Sequence, residues 1–406
     1  MTRVSGSLPH MRLRYSVEAE EFRAGLDRWL DEHLPPVAEM SEAKRSSAHL
    51  PDWARAWQRR LFDAGWLVPG WPPELGGRNA TPTEQMIYFE EIARRQIPRS
   101  LNPQGLSIIA PSILDFGDDA QKERFVLPTL RGEITWCLGM SEPGAGSDLA
   151  SLATRAVRDG DKFVVTGQKV WTSGAHHADW CFCFVRTDPD AAKHKGISVL
   201  VIDMSTPGIT CRPLPELTER DFADFNEVFF TDVEVPAENL VGELNGGWAM
   251  AQGSLGHERG MLWIGSVANV ERGVEALVEL GDEKGADGQR LGDDTRFRDA
   301  VASLYIDSQA QRFLGYRGFA KFERGEPALE HAILKLFTSE TERSIYLTAV
   351  EALGPEGLDQ ARAGPPMWRD GSWAVQYLRS FSGTIAGGTS EIQRNIIAER
   401  VLGLPR

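Results

Sequence analysis

Apolar residues in the first third of the chain recur at helical spacing. Phe22, Leu26, Trp29 and Leu30 share one face of a run that Ser16 can cap and Pro35-Pro36 stops. A second amphipathic run extends from Asp52 to Ala64, ahead of Gly65. Thr81-Pro82-Thr83-Glu84 spells a capping box with Pro at the first helical position, and QMIYFEEIARRQ follows it. Shorter helices are expected over 111–116 and from about Asp118.

The period changes after Gly132. TRAVRDGDKFVVTG predicts two strands joined by an Asp159-Gly160 turn, and WCFCFVRT, GISVLVIDM, GITCRPL and FNEVFFTDVEV add short strands. Helical spacing returns after Gly246-Gly247, in a run from Trp248 to about Leu280 that polar, Gly-rich EKGADGQRLGDD breaks. Further helices are expected near 295–323, 328–353 and 366–381, and a last one from about Ser390. The order predicts an N-terminal helical domain over 12–132, a middle β domain over 133–240 and a C-terminal helical domain over 241–406. Strands and helices do not alternate as βα units, which disfavours a Rossmann sheet.

Composition narrows the function. The 406 residues carry 44 Lys and Arg against 58 Asp and Glu, a formal net charge of −14. That excess argues against nucleic-acid binding, which rests on positive charge. No apolar run reaches the length of a membrane span, and MTRVSGSLPHMRLRYS has no apolar h-region, so a cytoplasmic protein is expected. The four cysteines, Cys137, Cys181, Cys183 and Cys211, form no CxxC pair and read as free thiols, with no metal site expected.

Four stretches carry candidate chemistry. SEPGAGSD, residues 141–148, is a glycine loop rich in backbone N–H donors that can approach a flat ring or a phosphate, or serve as a plain linker turn. In VWTSGAHHADW, Trp171, Thr172 and Ser173 offer an aromatic face and two hydroxyls; His176 and His177 have no third ligand nearby and receive no role. Gly387-Gly388-Thr389 precedes SEIQRNIIAERVL, where free N–H groups can meet a carbonyl or phosphate oxygen, or Thr389 or Ser390 can simply cap the helix. Glu258 interrupts an apolar stripe of Trp248, Ala251, Leu255, Leu262 and Gly265. A buried acid there is a proton acceptor, or one half of an ion pair.

Together these motifs closely resemble the acyl-CoA dehydrogenase family over nearly the whole chain, from about Tyr15 to Arg406. The specific parts are FGDDAQKERFVLPTLRGE, MSEPGAGSDLASL, GQKVWTSG, FTDVEVPAENLVGELNGGW and GGTSEIQRNIIAERVLG. The resemblance implies an α+β fold of helical, β-barrel-like and four-helix-bundle domains. It also implies FAD, held with help from a neighbouring subunit. Leu138, Met140 and Ser141 would line the flavin, Trp171, Thr172 and Ser173 would cover its ring near N5, and Thr389 would contact the flavin or its phosphates. Ser147 would face the CoA thioester arm of an acyl-CoA substrate. The implied reaction is α,β-desaturation: a carboxylate removes the α-proton, hydride passes to flavin N5, and hydrogen bonds hold the thioester carbonyl.

In many relatives the catalytic glutamate precedes the Gly-Thr of the terminal turn, where this chain has Gly387. The backbone N–H needed by the carbonyl remains. A minority carry the base in a Glu-Arg pair on the first long C-terminal helix, which corresponds to HERG here. Glu258 is therefore expected to be the base, with Arg259 orienting it. The chain also departs from the family at ADGQRLGDD and at EALGPEG, where Glu351 and Pro355 replace a Gln and a Gly. Such a branch is similar to subunits that pair with a related chain for sterol or other bulky acyl-CoA substrates. A homotetramer or a heterotetramer is expected, with an electron-transfer flavoprotein as acceptor. A flavin oxidase or monooxygenase and a non-catalytic subunit stay open as alternatives.

Overall fold

Ser16 opens the first helix of the computed structural model, which describes residues 15–36, 38–41, 45–218, 223–253, 259–285, 288–326, 328–362, 364–365 and 371–405. Its side chain accepts the Ala19 N–H at the head of α1 (Val17–His33), and the chain leaves that helix extended at Leu34, ahead of Pro35. Leu26 and Leu30 are fully buried, as their spacing requires. α2 (Asp52–Asp63) follows. At α3 (Pro82–Arg94) the capping box closes as expected: the Thr81 hydroxyl accepts the Glu84 N–H, and the Glu84 carboxylate accepts the Thr81 N–H at 2.7 Å. Thr81→Ala is expected to cost about 1 kcal/mol, read as a lower denaturation midpoint. An unmoved midpoint would mean that packing alone holds this helix end.

α4 (Ala110–Phe116) is entered through a π turn over Gly105–Ile109. Asp118 caps α5 (Asp119–Gln121), which runs through a second π turn, Lys122–Val126, into α6 (Leu127–Leu130). A π turn inserts one residue into the helical repeat and leaves no periodic mark in the sequence.

Eight strands form one sheet: β1 (Trp136–Gly139), β2 (Arg155–Asp159), β3 (Lys162–Lys169), β4 (Trp180–Arg186), β5 (Ile197–Asp203), β6 (Ile209–Pro213), β7 (Asn226–Pro236) and β8 (Leu240–Val241). The order is β6-β7-β3-β2-β4-β5-β8, with β1 parallel to β4 beside β2. Register pairs Asp159 with Lys162, so the hairpin loop is Gly160-Asp161 rather than Asp159-Gly160. Gly160 takes φ +63° there, a value glycine adopts without strain. β1 lies in a stretch that pattern alone marked only as apolar.

β4 is buried on both faces. Phe182 and Phe184 pack toward the N-terminal helices with Trp57, Phe125 and Trp136. Cys181, Cys183 and Val185 point the other way, against Cys137, Val165 and Val228. All four cysteines are free; Cys137, Cys181 and Cys183 are buried and Cys211 is half-buried. Among the described residues no three metal-ligating side chains gather around one point.

The C-terminal part returns to helices: α7 (Gly247–Gly253), α8 (Arg259–Leu280), α9 (Thr295–Glu323), α10 (Glu330–Leu353), α11 (Trp373–Gly383) and α12 (Ser390–Ile396). α8, α9 and α10 pack on one another and α11 lies on α10, over Val270, Val274, Leu277, Leu304, Ile345 and Ala349. α11 starts at Trp373, not at 366. Gly371 at φ +143° and Ser372 as N-cap end the preceding segment, and 366–370 lie outside the described residues. α8 also crosses α3, where Met261 and Ile264 meet Met86 and Phe89. The architecture is thus helical, then sheet, then helical, as the succession of patterns predicts. Among the described residues no helix is long and apolar enough to cross a membrane.

Candidate active site

The ends of β1 and β3 bring the two middle motifs together. The Val170 N–H donates to the Ser141 carbonyl at 2.9 Å, which sets Leu138, Met140 and Ser141 beside Trp171, Thr172 and Ser173. Trp171 leaves the strand at φ +59°, an unusual conformation for a bulky residue. It meets Phe225 edge-on and leaves its ring 62% exposed, an open aromatic platform. Thr172 beside it is buried, and its Oγ1 has no hydrogen-bond partner among the described residues. A buried hydroxyl without a partner is costly unless a ligand satisfies it. A flat aromatic group with hydrogen-bonding edges fits this corner, and an isoalloxazine ring has both properties.

An ion pair that the motif reading did not single out holds the glycine loop. Lys169 Nζ, with its side chain 0% exposed, donates to Glu142 Oε1 at 2.8 Å and to the Met140 carbonyl at 3.1 Å. Glu142 also accepts the backbone N–H groups of Ala153 and Thr154 at 2.6 and 2.9 Å. Burial pulls its pKa up, but Lys169 and these donors outweigh it and hold the carboxyl below the ordinary carboxylate range. The sequence signal was available: in β3 the inward positions Phe163 and Val165 lead by alternation to Lys169, and an inward Lys demands an acid. Within the loop a tight turn reciprocally bonds Glu142 and Ala145, each N–H donating to the other's carbonyl at 3.0 Å. Gly144, Gly146 and Ser147 stay exposed.

The terminal turn is held from below and open above. Lys335 Nζ donates to the Gly388 carbonyl at 2.6 Å, and Gln393 Nε2 donates to the Gly387 carbonyl at 3.0 Å. Ser390 Oγ donates to Glu340 Oε1 at 2.7 Å. Gly387 sits exposed at φ +66°, with open space where a Cβ would be, and its N–H meets no acceptor among the described residues. Thr389 is the N-cap of α12, its Oγ1 accepting the Ile392 N–H at 3.3 Å while its hydroxyl donates to the Glu391 carboxylate. Among the described residues no hydrogen bond joins this turn to the Trp171 corner.

Glu258 lies outside the described residues. Arg259 is the first described residue of α8, and its side chain is not described. Of the stripe around Glu258, Ala251 is buried, Trp248 half-buried and Gly265 exposed. Gly265 lines a cavity of about 420 Å³ between α8, α3 and the segment 96–107. Met261, Gly265, Asn269 and Arg272 form its α8 wall, spaced three or four residues apart on one face of the helix. The two histidines serve structure: His176 Nδ1 pairs with Asn226 Oδ1 and His177 Nδ1 with Ser46 Oγ, each at 3.0 Å.

Family models for the N-terminal, middle and C-terminal domains of acyl-CoA dehydrogenase match residues 16–133, 137–233 and 245–402. The acyl-CoA dehydrogenase IpdE1 of Mycobacterium tuberculosis is 37% identical over 400 residues, covering 96% of this chain and 98% of that protein. FadE34 of the same organism is 39% identical over 393 residues, 95% of this chain and 51% of its own length. A chain of the ChsE4-ChsE5 complex from Mycobacterium tuberculosis superposes with a TM-score of 0.80 at 32% identity, over 98% of this chain and all of its own. A chain of the Tcur3481-Tcur3483 steroid ACAD superposes at 0.79 with 31% identity, over 98% of this chain and all of its own. Three domain matches in order, and relatives alike from end to end, leave one assignment: the chain belongs to the acyl-CoA dehydrogenase family of FAD-dependent oxidoreductases.

Proposed function

We propose that this chain desaturates an acyl-CoA thioester between its α and β carbons, with Glu258 as the base. The observation that carries the reading is the terminal turn. Gly387 offers a free N–H and no carboxylate, so the proton acceptor must come from another element. HERG supplies an acid in the residue before Arg259, where the described part of α8 begins, and α8 lines the cavity.

The roles follow from chemistry. The Gly387 N–H donates to the thioester carbonyl oxygen and stabilises the negative charge that develops there. Glu258 takes the α-proton on a carboxylate oxygen, and Arg259 holds that carboxylate in orientation. FAD, when bound, accepts the β hydrogen with its electron pair. Trp171 supplies a stacking face, Thr172 and Ser173 supply hydroxyls, and Leu138, Met140 and Ser141 form the opposite wall. Thr389 contacts the flavin or its phosphates, and Ser147 meets the CoA arm. Thr172→Val is expected to weaken FAD binding about three- to tenfold, measured by flavin titration; unchanged affinity would remove Thr172 from the cofactor site.

The reading extends to partners and boundaries. Similarity to chains of two-component complexes supports a related chain as partner. The reading adds a tetramer and an electron-transfer flavoprotein as acceptor. The three units divide at 12–132, 133–240 and 241–406. The test is anaerobic mixing of acyl-CoA thioesters with the purified holoprotein, alone and with a related partner chain, while flavin absorbance is followed. Bleaching with formation of the enoyl thioester supports the proposal. Bound flavin that no thioester bleaches would overturn it, as would peroxide formation in air at the full rate of turnover.

A further inference from the structure

The α8 wall of the cavity runs from Met261 and Gly265, near the start of the helix, to Asn269 and Arg272 farther along it. Gln96 joins these two at the polar end, because its backbone N–H and the Arg272 guanidinium share the Ala93 carbonyl. From Met261 to Arg272 the helix rises about 16 Å.

Two independent features mark the polar end as built. Gln96 ends α3 in a Schellman arrangement: its own N–H donates to the Ala93 carbonyl at 3.2 Å and the Ile97 N–H to the Ile92 carbonyl at 3.0 Å. This position favours glycine, because the residue must turn left-handed. Gln96 takes φ +54° all the same. Gln96 lines the cavity, and its side-chain amide has no hydrogen-bond partner among the described residues. A strained residue retained at a cavity wall points to use of its side chain.

The second feature is Arg272. Its guanidinium is half-buried and spends donors on the Ala93 carbonyl at 2.9 Å and on Asn269 Oδ1 at 2.5 Å. Among the described residues no carboxylate forms an ion pair with it. A half-buried cation with unspent N–H groups at a cavity end favours an oxygen acceptor. Arg99, over Phe89 with its guanidinium 4.7 Å from the ring centre, adds a second positive group to the cavity lining, from the 96–107 segment.

We infer that the acyl group this protein takes carries an oxygen acceptor, a carboxylate or a ketone, at the end remote from the thioester, bound by Arg272, Asn269 and Gln96. This rests on the dehydrogenase reading above and specifies its substrate class. An acyl chain ending in methyl would leave the polar end unsatisfied.

The test compares three acyl-CoA thioesters of equal length, ending in carboxylate, methyl ketone or methyl, by kcat/KM for flavin reduction in the holoprotein with its partner chain. A carboxylate or ketone end is expected to be preferred at least about tenfold over methyl. Arg272→Gln is expected to shrink that preference about ten- to a hundredfold, and Arg272→Lys to keep part of it. Asn269→Leu serves as a second variant should Arg272→Gln fail to fold, and is expected to shrink the ratio in the same direction. Preference for the methyl-ended thioester overturns the inference. Equal losses on all three thioesters in both variants overturn it too, since they mark a purely structural role. Failure of every thioester to reduce the flavin overturns the dehydrogenase reading itself, and this inference with it.

Discussion

Glu258→Gln is expected to slow flavin reduction by an acyl-CoA by about a hundred- to ten-thousandfold, with the FAD content of the purified protein unchanged. Gln keeps the size and polarity of the side chain and removes only its ability to accept a proton. The α-proton then has no acceptor, because the terminal turn offers Gly387 and no acid. Gly387→Glu on the Glu258→Gln background is expected not to restore the rate. Position 387 has open space for a side chain, but φ +66° strains any residue with a Cβ. Reduction at the wild-type rate in Glu258→Gln would remove the base from HERG. Rescue by Gly387→Glu would show that the substrate pocket accepts a base from either element.

The largest expected loss of stability follows Lys169→Met. Glu142 would keep its charge at 8% side-chain exposure with its cation gone, and such a break costs about 3–5 kcal/mol. The double variant Lys169→Met, Glu142→Leu is expected to lose less than either single one, because it leaves no buried charge unpaired. FAD content is expected to fall with stability, since the pair ties the glycine loop to the end of β3 beside Trp171. A denaturant series with flavin release as a second signal measures both, and single losses no larger than the double loss would count against the clamp. The pH dependence has a definite sign. The folded-state pKa of Glu142 is depressed, so its contribution is present above the unfolded carboxylate value of about 4.3 and is lost as pH falls through the folded value. Acid sensitivity in that range is expected to weaken in the double variant.

What the sequence disclosed and what it withheld divide by distance along the chain. Ser16 and Thr81 were legible as caps because a cap is decided within three or four residues. The hairpin of β2 and β3 was legible for the same reason, though its loop fell one residue late. β1 was not, because a four-residue strand declares itself only through its parallel partner β4, far downstream. The ion pair of Glu142 and Lys169 joins two motifs that were each read separately. The polar end of the cavity needed α3 and α8 brought side by side before Gln96 and Arg272 could be seen as one group. Glycine positions at 387 and 388 carried their meaning locally, as residues with positive φ at the head of a capped helix.

Gly387 has one more consequence, for how such a protein can change over generations. A turn that bears both donor and base must satisfy two demands with one backbone path, so any shift that improves one disturbs the other. On the proposed assignment the donor stays on the turn, and the acid comes from HERG, the segment that leads into the helix lining the cavity. Mutations along that helix can reshape the range of acceptable acyl groups while the grip on the thioester oxygen stays fixed. The arrangement separates inheritance of the reaction from inheritance of the substrate, and leaves the second free to diversify.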